Sequence, residues 1–466
     1  MNAPPALDAP WDRLPERRRW LKRFRRTLAR DLRPLARLIC DEVGKPEWEA
    51  ITADLLPLLV ACRWLERRAP RLLASRALRS AALTLGTRGV LHRQPLGDVA
   101  IIATWNYPAQ LLGIQLAHAL IAGNRVVVKP SERAPRTQGA LCRLAQEAGL
   151  PAGVLEVTDA AREAGERLLA TRRFDHVVFT GSAPVGNAIA RRCAQTLTPT
   201  TLELSGRDSA LVLADADPYL AARSIWHAVA SNAGQTCMAP RRALVERAAY
   251  GPFCAAIEAL ARAQAPVQVI CEAEAERVRA LVDGAVRAGG RVVPDQSSRS
   301  GRTITPTAVL DCPESCALVE GDHFGPAIAV VQVDSAAHAL VVHRRCGPHL
   351  STSVFTRSPG RAHELAMALG SSTVTINDCV VPVGHPGVSI GGRGLSGWGV
   401  SRGEEGLLAM TRPVVVTRTG RLLRAPVGPP TPALARWLPV ALRTLFGGRS
   451  EPSTLPGLPA SEAPQP

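Results

Sequence analysis

The sequence predicts an α/β fold built on parallel sheets. From about residue 95 onward, short Val- and Ile-rich runs alternate with helical stretches, the pattern of right-handed βαβ units. The chain is long and apolar enough to bury several cores: 466 residues, 46% of them hydrophobic, enough for about three domains at roughly 150 residues each. Charged residues at 21% and a mean hydropathy of +0.04 exclude a disordered chain, collagen and a coiled coil.

Residues 11–70 read as helices, with apolar and charged residues interleaved at three-to-four spacing as in LLPLLVACRWLERR. Residues 80–94 read as a hairpin turning at Gly86-Thr87-Arg88-Gly89. Strands follow at 99–104, 125–129, 153–157, 176–179 and 200–205, with helices at 108–122, 136–149, 161–171 and from Ala183. A second alternating region runs to about residue 400, with strands at 209–214, 327–333, 351–356 and 373–377. Ten prolines from Pro426 onward mark a largely disordered tail with one short helix, which Pro439 should interrupt.

The net charge is +16, with Lys+Arg 56 against Asp+Glu 40. Nearly all of the basic residues are Arg; the lysines are Lys22, Lys45 and Lys129. The Arg13–Arg37 segment carries Trp20, Phe24 and Leu28 at helical spacing and reads first as a solvated basic helix face. An anionic membrane or partner surface is the second reading and nucleic acid the third. No zinc-finger spacing or aromatic RNA-binding signature supports the last, so no nucleic-acid partner is expected. There is no apolar run of about 18 residues and no secretory leader, and eleven scattered cysteines read as reduced thiols, so a cytoplasmic location is expected. Cys312 and Cys316 are the closest pair. They lack a second pair at ligand spacing, so no metal site is expected.

Five segments carry candidate chemistry. In PLGDVAIIATWNYP (95–108), a strand ends at Thr104-Trp105-Asn106-Tyr107, where open α/β sheets bind ligands; the Asn106 amide can donate to an oxyanion or simply hold a turn. In GNRVVVKPSERAP (123–135), Lys129 ends a strand just before Ser131 and Glu132; it reads as a ribose or phosphate contact or as a surface lysine. In FTGSAPVG (179–186), Gly181 and Ser182 open a helix whose first N–H groups can cradle a pyrophosphate, although GxGxxG is absent. TLELSGRDS (201–209) places Glu203 at a strand end. SNAGQTCMAP (231–240) places Cys237 among small residues, where a lowered thiol pKa would make a nucleophile; in isolation, an ordinary buried cysteine is the commoner reading.

Taken in order over residues ~80–420, these segments resemble the aldehyde dehydrogenase superfamily: TWNYP at 104–108, KPSE at 129–132, FTGS at 179–182, LELSG at 202–206 and GQTC at 234–237. HFGP (323–326) and GGRGLSGWG (391–399) resemble two later motifs of that family. The resemblance implies a Rossmann-type NAD-binding domain, an α/β catalytic domain and a small β oligomerisation element. The short N-terminal region resembles the dimeric, class-3-like branch and implies a homodimer. The implied boundaries are 1–78 (N-terminal helices), 79–94 (oligomerisation hairpin), 95–205 (NAD-binding), 206–400 (catalytic), 401–425 (return segment and oligomerisation strand) and 426–466 (tail).

By the same resemblance, Cys237 is the nucleophile, Asn106 and the Cys237 N–H form the oxyanion hole, and Glu203 is the base that hydrolyses the thioester. Thr104, Trp105, Lys129, Ser131, Glu132, Gly181, Ser182, Asp322 and Phe324 are the implied cofactor contacts. Tyr107, Leu111, Ile114 and Met238 are the implied substrate tunnel. A carboxylate at Glu132 favours NAD, with NADP as the alternative. The tunnel residues are mostly apolar and favour an apolar aldehyde. Four positions depart from the family pattern: Asp322 stands in place of Glu, Arg207 in place of Lys, Ser205 in place of Gly and Ile390 in place of Phe. The expected reaction is oxidation of an aldehyde to a carboxylic acid. Coenzyme A acylation and a catalytically impaired scaffold are the alternatives, and Glu203, which the acylating branch generally lacks, argues against the first. The tail segment 432–448 is expected either to lie on an anionic membrane surface, which would place the protein peripherally at the inner membrane, or to dock on protein.

Overall fold

The computed structural model describes residues 10–79, 84, 86–295, 301–347, 349–420, 428, 429 and 431–446. The chain divides into two units. One comprises residues 1–74 and 92–414 and the other residues 75–91 and 415–466.

In the first unit, helices Leu14–Arg30, Leu32–Val43 and Leu56–Leu72 bury Trp20, Leu21, Phe24 and Leu28 completely or nearly so. Several arginines of the basic segment bind helix carbonyls that have no partner within their own helix, at the C-terminal end for Ile121 and Ala148 and, for Glu66, because Pro70 four residues on has no N–H. Arg17 Nε donates to Ile121 O (3.0 Å), Arg23 Nε to Ala148 O (2.6 Å) and Arg18 Nε to Glu66 O (3.0 Å). Part of this face is therefore used inside the protein rather than simply solvated.

The first sheet contains strands β1 (Asp98–Ile102), β2 (Arg125–Lys129), β3 (Leu155–Val157), β4 (His176–Gly181) and β5 (Thr200–Leu204). The second contains β6 (Ser209–Val212), β7 (Arg242–Glu246), β8 (Arg291–Val293), β9 (Thr307–Leu310), β10 (Ala327–Val333), β11 (Ser351–Phe355) and β12 (Thr373–Ile376). A last short strand, β13 (Gly397–Trp398), returns to the first sheet, whose order is β13-β5-β4-β1-β2-β3. The order of the second is β8-β9-β10-β7-β6-β11-β12. All pairings are parallel except β13 on β5 and β8 on β9. The central strands are apolar on both faces because helices cover both sides.

β13 explains the late glycine motif. Gly397 lies opposite Glu203 in the ladder, at φ +102°, and a side chain there would collide with the Leu202 carbonyl. Only glycine lets this segment lie along β5.

The second unit holds most of a three-stranded sheet, in which Arg76–Leu78 pairs antiparallel with Thr87–Pro95 and Thr411–Thr419 is the third strand. The expected hairpin is thus displaced. Its first strand lies before residue 80, and Thr87–Gly89 belong to the second strand rather than to the turn; residues 80–83 and 85 lie outside the described residues. Helix Pro432–Phe446 runs through Pro439 without a break. Pro439 removes only the bond to Ala435 O, and water can satisfy that exposed carbonyl. The expected disorder at 421–427 and 447–466 also lies outside the described residues.

Candidate active site

The carboxyl ends of β1, β4 and β5 open onto a cavity of about 550 Å³. Its wall includes Thr104, Trp105, Asn106, Tyr107, Leu111, Gly181, Ser182, Glu203, Cys237, Met238, Asp322 and Phe324, residues from five separate stretches of the chain. Ile114 is not among them. It is 2% exposed and packs into the N-terminal core one turn along the helix Gln110–Ala122, so its expected place in the tunnel is not observed. Lys129, Ser131 and Glu132 lie outside this cavity, at and just past the end of β2, with Lys129 Nζ 3.4 Å from Glu132 Oε2.

Cys237 sits on a strained loop. Asn232 and Ala233 have left-handed φ values of +49° and +52°. Several bonds hold the loop in place. Asn106 Nδ2 and Asn232 Nδ2 both donate to Gln235 O at 3.1 Å, and Tyr107 Oη shares a 2.7 Å hydrogen bond with Thr236 Oγ1. Arg241 donates to Gly234 O (3.3 Å) and Thr236 O (3.0 Å). Gly234 packs so tightly on Gly325 that a side chain would strike the backbone of the HFGP segment.

The thiol of Cys237 is pushed up to about 12, chiefly by burial and then by the charges of Glu203 and Asp208, with Arg241 opposing. The lowered pKa expected from its small neighbours is not found, because the loop leads through a turn into β7 and the nearest carboxylates oppose the thiolate. Burial also raises Glu203. The Ser401 hydroxyl, the charge of Arg402 and the Thr180 hydroxyl (3.4 Å) pull it back. A buried carboxylate with a raised pKa suits proton transfer near neutral pH.

Sequence reasoning missed four supporting residues: Thr180, Ser401, Arg402 and Arg241. It also missed a buried network at the N-terminal side. Lys45 Nζ binds Asp54 Oδ2 (3.0 Å) and Asn106 O (2.9 Å) and lies 4.0 Å over the Tyr107 ring. Asp54 Oδ1 accepts from the N–H groups of Ala109 (3.0 Å) and Gln110 (2.6 Å), and Glu49 accepts from Asn232 N. The scarcity of lysine, with only Lys22, Lys45 and Lys129 in the chain, was the one signal that could have drawn attention to Lys45.

Several features fit a dinucleotide. Ser182 is the N-cap of helix Ala183–Ala194 without a side-chain cap bond, and a side chain at Gly186 would strike Leu204, so glycine lets that helix approach β5 closely. Asp322 Oδ1 is buried with no hydrogen-bond partner among the described residues, as a ribose-binding oxygen would be before its ligand arrives. Trp105 and Phe324 meet edge to face at 5.8 Å. Ile390 fills the apolar wall beside Cys237 with Met238 and Leu350. Arg207 donates to Glu320 O (3.1 Å), and Ser205 O accepts from Ser396 (3.3 Å), so both of these departures are accommodated structurally.

Residues 4–416 match the model of the aldehyde dehydrogenase family. The chain is 31% identical over 428 residues to a 4,4'-diapolycopene aldehyde oxidase of Methylomonas, covering 89% of this chain and 80% of that protein. It is 30% identical over 414 residues to a 4,4'-diapolycopene-4,4'-dial dehydrogenase of Cytobacillus firmus, covering 85% and 88%. A crystal structure of a Mycobacterium tuberculosis aldehyde dehydrogenase complexed with NAD+ superposes with a TM-score of 0.81 at 27% identity, covering 88% of this chain and 87% of that one. The chain belongs to the aldehyde dehydrogenase family and is an NAD(P)-dependent aldehyde dehydrogenase.

Proposed function

We propose that the enzyme oxidises a long apolar aldehyde to its carboxylic acid at Cys237, with NAD as the preferred cofactor and NADP as the second. The convergence of Cys237, Glu203 and Asn106 on one cavity carries this reading. Cys237 Sγ attacks the aldehyde carbon as its proton passes to Glu203, directly or through water. The Asn106 amide and the Cys237 N–H receive the developing oxyanion of the thiohemiacetal. A nicotinamide bound beside Asp322 and Phe324 supplies the hydride acceptor. Once it has released that first proton to solvent, Glu203 takes a proton from the water that hydrolyses the Cys237 thioester, and the thiol of Cys237 leaves reprotonated.

Substrate class is read from the walls. Trp48, Pro57, Leu111, Met238 and Ile390 line an apolar approach to the thiol. A second cavity of about 930 Å³ shares Trp48, Glu49, His227, Ser231 and Val381 with the first and leaves room for an extended chain. Arg277 is engaged on the Asp322 carbonyl and Arg402 lies near Glu203, so neither is spent on a second substrate carboxylate. The two relatives named for diapolycopene aldehydes support the same reading. Among the described residues no helix is long and apolar enough to cross a membrane. The exposed Trp437, Leu445 and Phe446 of helix Pro432–Phe446, together with Arg436, suit an anionic membrane surface at which such a substrate would be met. The outer strands of the three-stranded sheet are largely exposed and suit pairing with a second copy in a homodimer.

The mechanism is tested by rapid mixing at 340 nm and intact mass after quenching. Cys237→Ala should give neither NADH nor a covalent adduct. Glu203→Gln, which can accept neither the thiol proton nor that of water, should form thioester slowly, with up to one NADH per site, and then stall, its turnover reduced by about 10²–10⁴-fold. A fully active Cys237→Ala enzyme would overturn the reading. A panel of aldehydes of increasing chain length, with and without coenzyme A, tests the substrate class and the product.

A further inference from the structure

The buried pair Cys312 and Cys316 has no part in the chemistry above. Cys312 follows β9, after a turn in which Asp311 is left-handed (φ +54°), and its N–H donates to Val330 O at 3.0 Å. Cys316 is the N-cap of the short helix Ala317–Glu320; its N–H donates to Pro313 O at 3.1 Å and its carbonyl accepts from Val319 (3.0 Å) and Glu320 (3.1 Å). The two sulfurs lie 3.0 Å apart as free thiols. Both residues are buried in the second sheet's core, beside Leu318 and Val319. The helix runs directly into Gly321, Asp322 and Phe324, the segment that reaches the cavity wall.

The chemistry of the pair is asymmetric. Contact with the Cys312 sulfur, and then the backbone N–H groups of Val319 and Leu318, lower the Cys316 thiol against the opposing effect of burial. The same contact and burial drive Cys312 up. Cys316 is thus the more readily ionised of two sulfurs 3.0 Å apart, the arrangement of an attacking cysteine and its resolving thiol.

We propose that Cys312 and Cys316 form a peroxide-sensitive dithiol whose closure to a disulfide displaces the Asp322 segment and weakens cofactor binding. The Cys316 thiolate attacks hydrogen peroxide, taking one oxygen to become a sulfenic acid and releasing hydroxide. The Cys312 sulfur then displaces that oxygen as water. Together, two thiols and one peroxide give one disulfide and two waters. Closing the sulfurs from 3.0 Å to bonding distance, about 2.05 Å, pulls on the cap of the helix that leads to Asp322. The effect on cofactor rests on reading Asp322 as a ribose contact; the disulfide itself does not.

Trypsin places both cysteines, and no others, in the peptide 303–344, so one peptide reads the modification. The full-length enzyme is treated with hydrogen peroxide, alkylated and digested. The peptide should lose both alkylation sites and two hydrogens, and dithiothreitol should restore them. Cys312→Ser should leave a sulfenic acid at Cys316 that dimedone traps. Cys316→Ser should leave Cys312 alkylatable. Persistence of both thiols at peroxide levels that consume the half-buried Cys40 and Cys271 would overturn the disulfide. NADH binding, read by fluorescence without turnover, should weaken at least threefold in the oxidised wild type and not in Cys312→Ser. A confirmed disulfide with unchanged NADH affinity would overturn the coupling to the Asp322 segment. Oxidation of Cys237 cannot imitate the peptide result.

Discussion

The side-chain amide of Asn106 donates to the carbonyl of Gln235 at 3.1 Å, two residues before Cys237. The group proposed to receive the oxyanion is thereby tied to the loop that carries the nucleophile. Asn106→Ala should lower kcat by about 10²–10³-fold, the usual cost of one oxyanion donor, with little change in KM for the aldehyde. Steady-state kinetics decide this; unchanged kcat would remove Asn106 from the chemistry.

Lys45 and Asp54 form an ion pair whose side chains are both 0% exposed. Removing one partner of such a pair leaves a buried charge. Lys45→Met should therefore destabilise the protein by about 3–5 kcal/mol in urea unfolding and lower kcat by loosening the Asn106 backbone. Adding Asp54→Asn should recover part of the stability. If Lys45→Met is as stable as the wild type, the network does not hold the site together.

Asp322 offers a buried oxygen with no hydrogen-bond partner among the described residues, but it is one methylene shorter than the Glu usual in the family. Asp322→Glu should equal or raise kcat by holding the nicotinamide ribose more firmly. A tenfold fall, about 1.4 kcal/mol in the barrier, would show instead that the pocket is built around Asp.

His176 is buried on β4 with Nε2 2.9 Å from Thr201 Oγ1, and burial lowers its pKa from 6.5 to about 4. The folded state therefore resists protonation that the unfolded chain accepts. The contribution to stability is complete above pH 6.5 and is lost as pH falls from there toward about 4, a total of about 3 kcal/mol. Urea unfolding between pH 7 and 4 should show stability falling with acid, with a shallower slope in His176→Gln. Equal slopes would show that His176 does not sense pH.

Helix Pro432–Phe446 exposes Trp437, Leu445 and Phe446 at 63%, 74% and 79%. The full chain should co-sediment with anionic vesicles, more weakly as salt rises. Deleting residues 426–466 should abolish this. Equal binding with and without the tail would exclude the helix as the membrane contact.

By itself, the sequence determined the alternation of strands and helices, and with it the α/β class. β10 was bounded to the residue, because a strand buried on both faces is written as a continuous apolar run. Thr104, Asn106, Glu203 and Cys237 were also legible, because ligands gather at strand ends and each stands in a distinctive short segment. The tertiary structure decided what depends on distance in space. Lys45 reaches Asn106 across 61 positions, and Ser401 reaches Glu203 across 198, so no local pattern marks either pair. It also placed Ile114 in the core rather than the tunnel, since helical spacing alone does not say which face meets the cavity. The thiol of Cys237 followed the same rule. Its small neighbours in sequence suggested a lowered pKa, whereas burial and the nearby carboxylates of Glu203 and Asp208, which only the fold brings close, raise it.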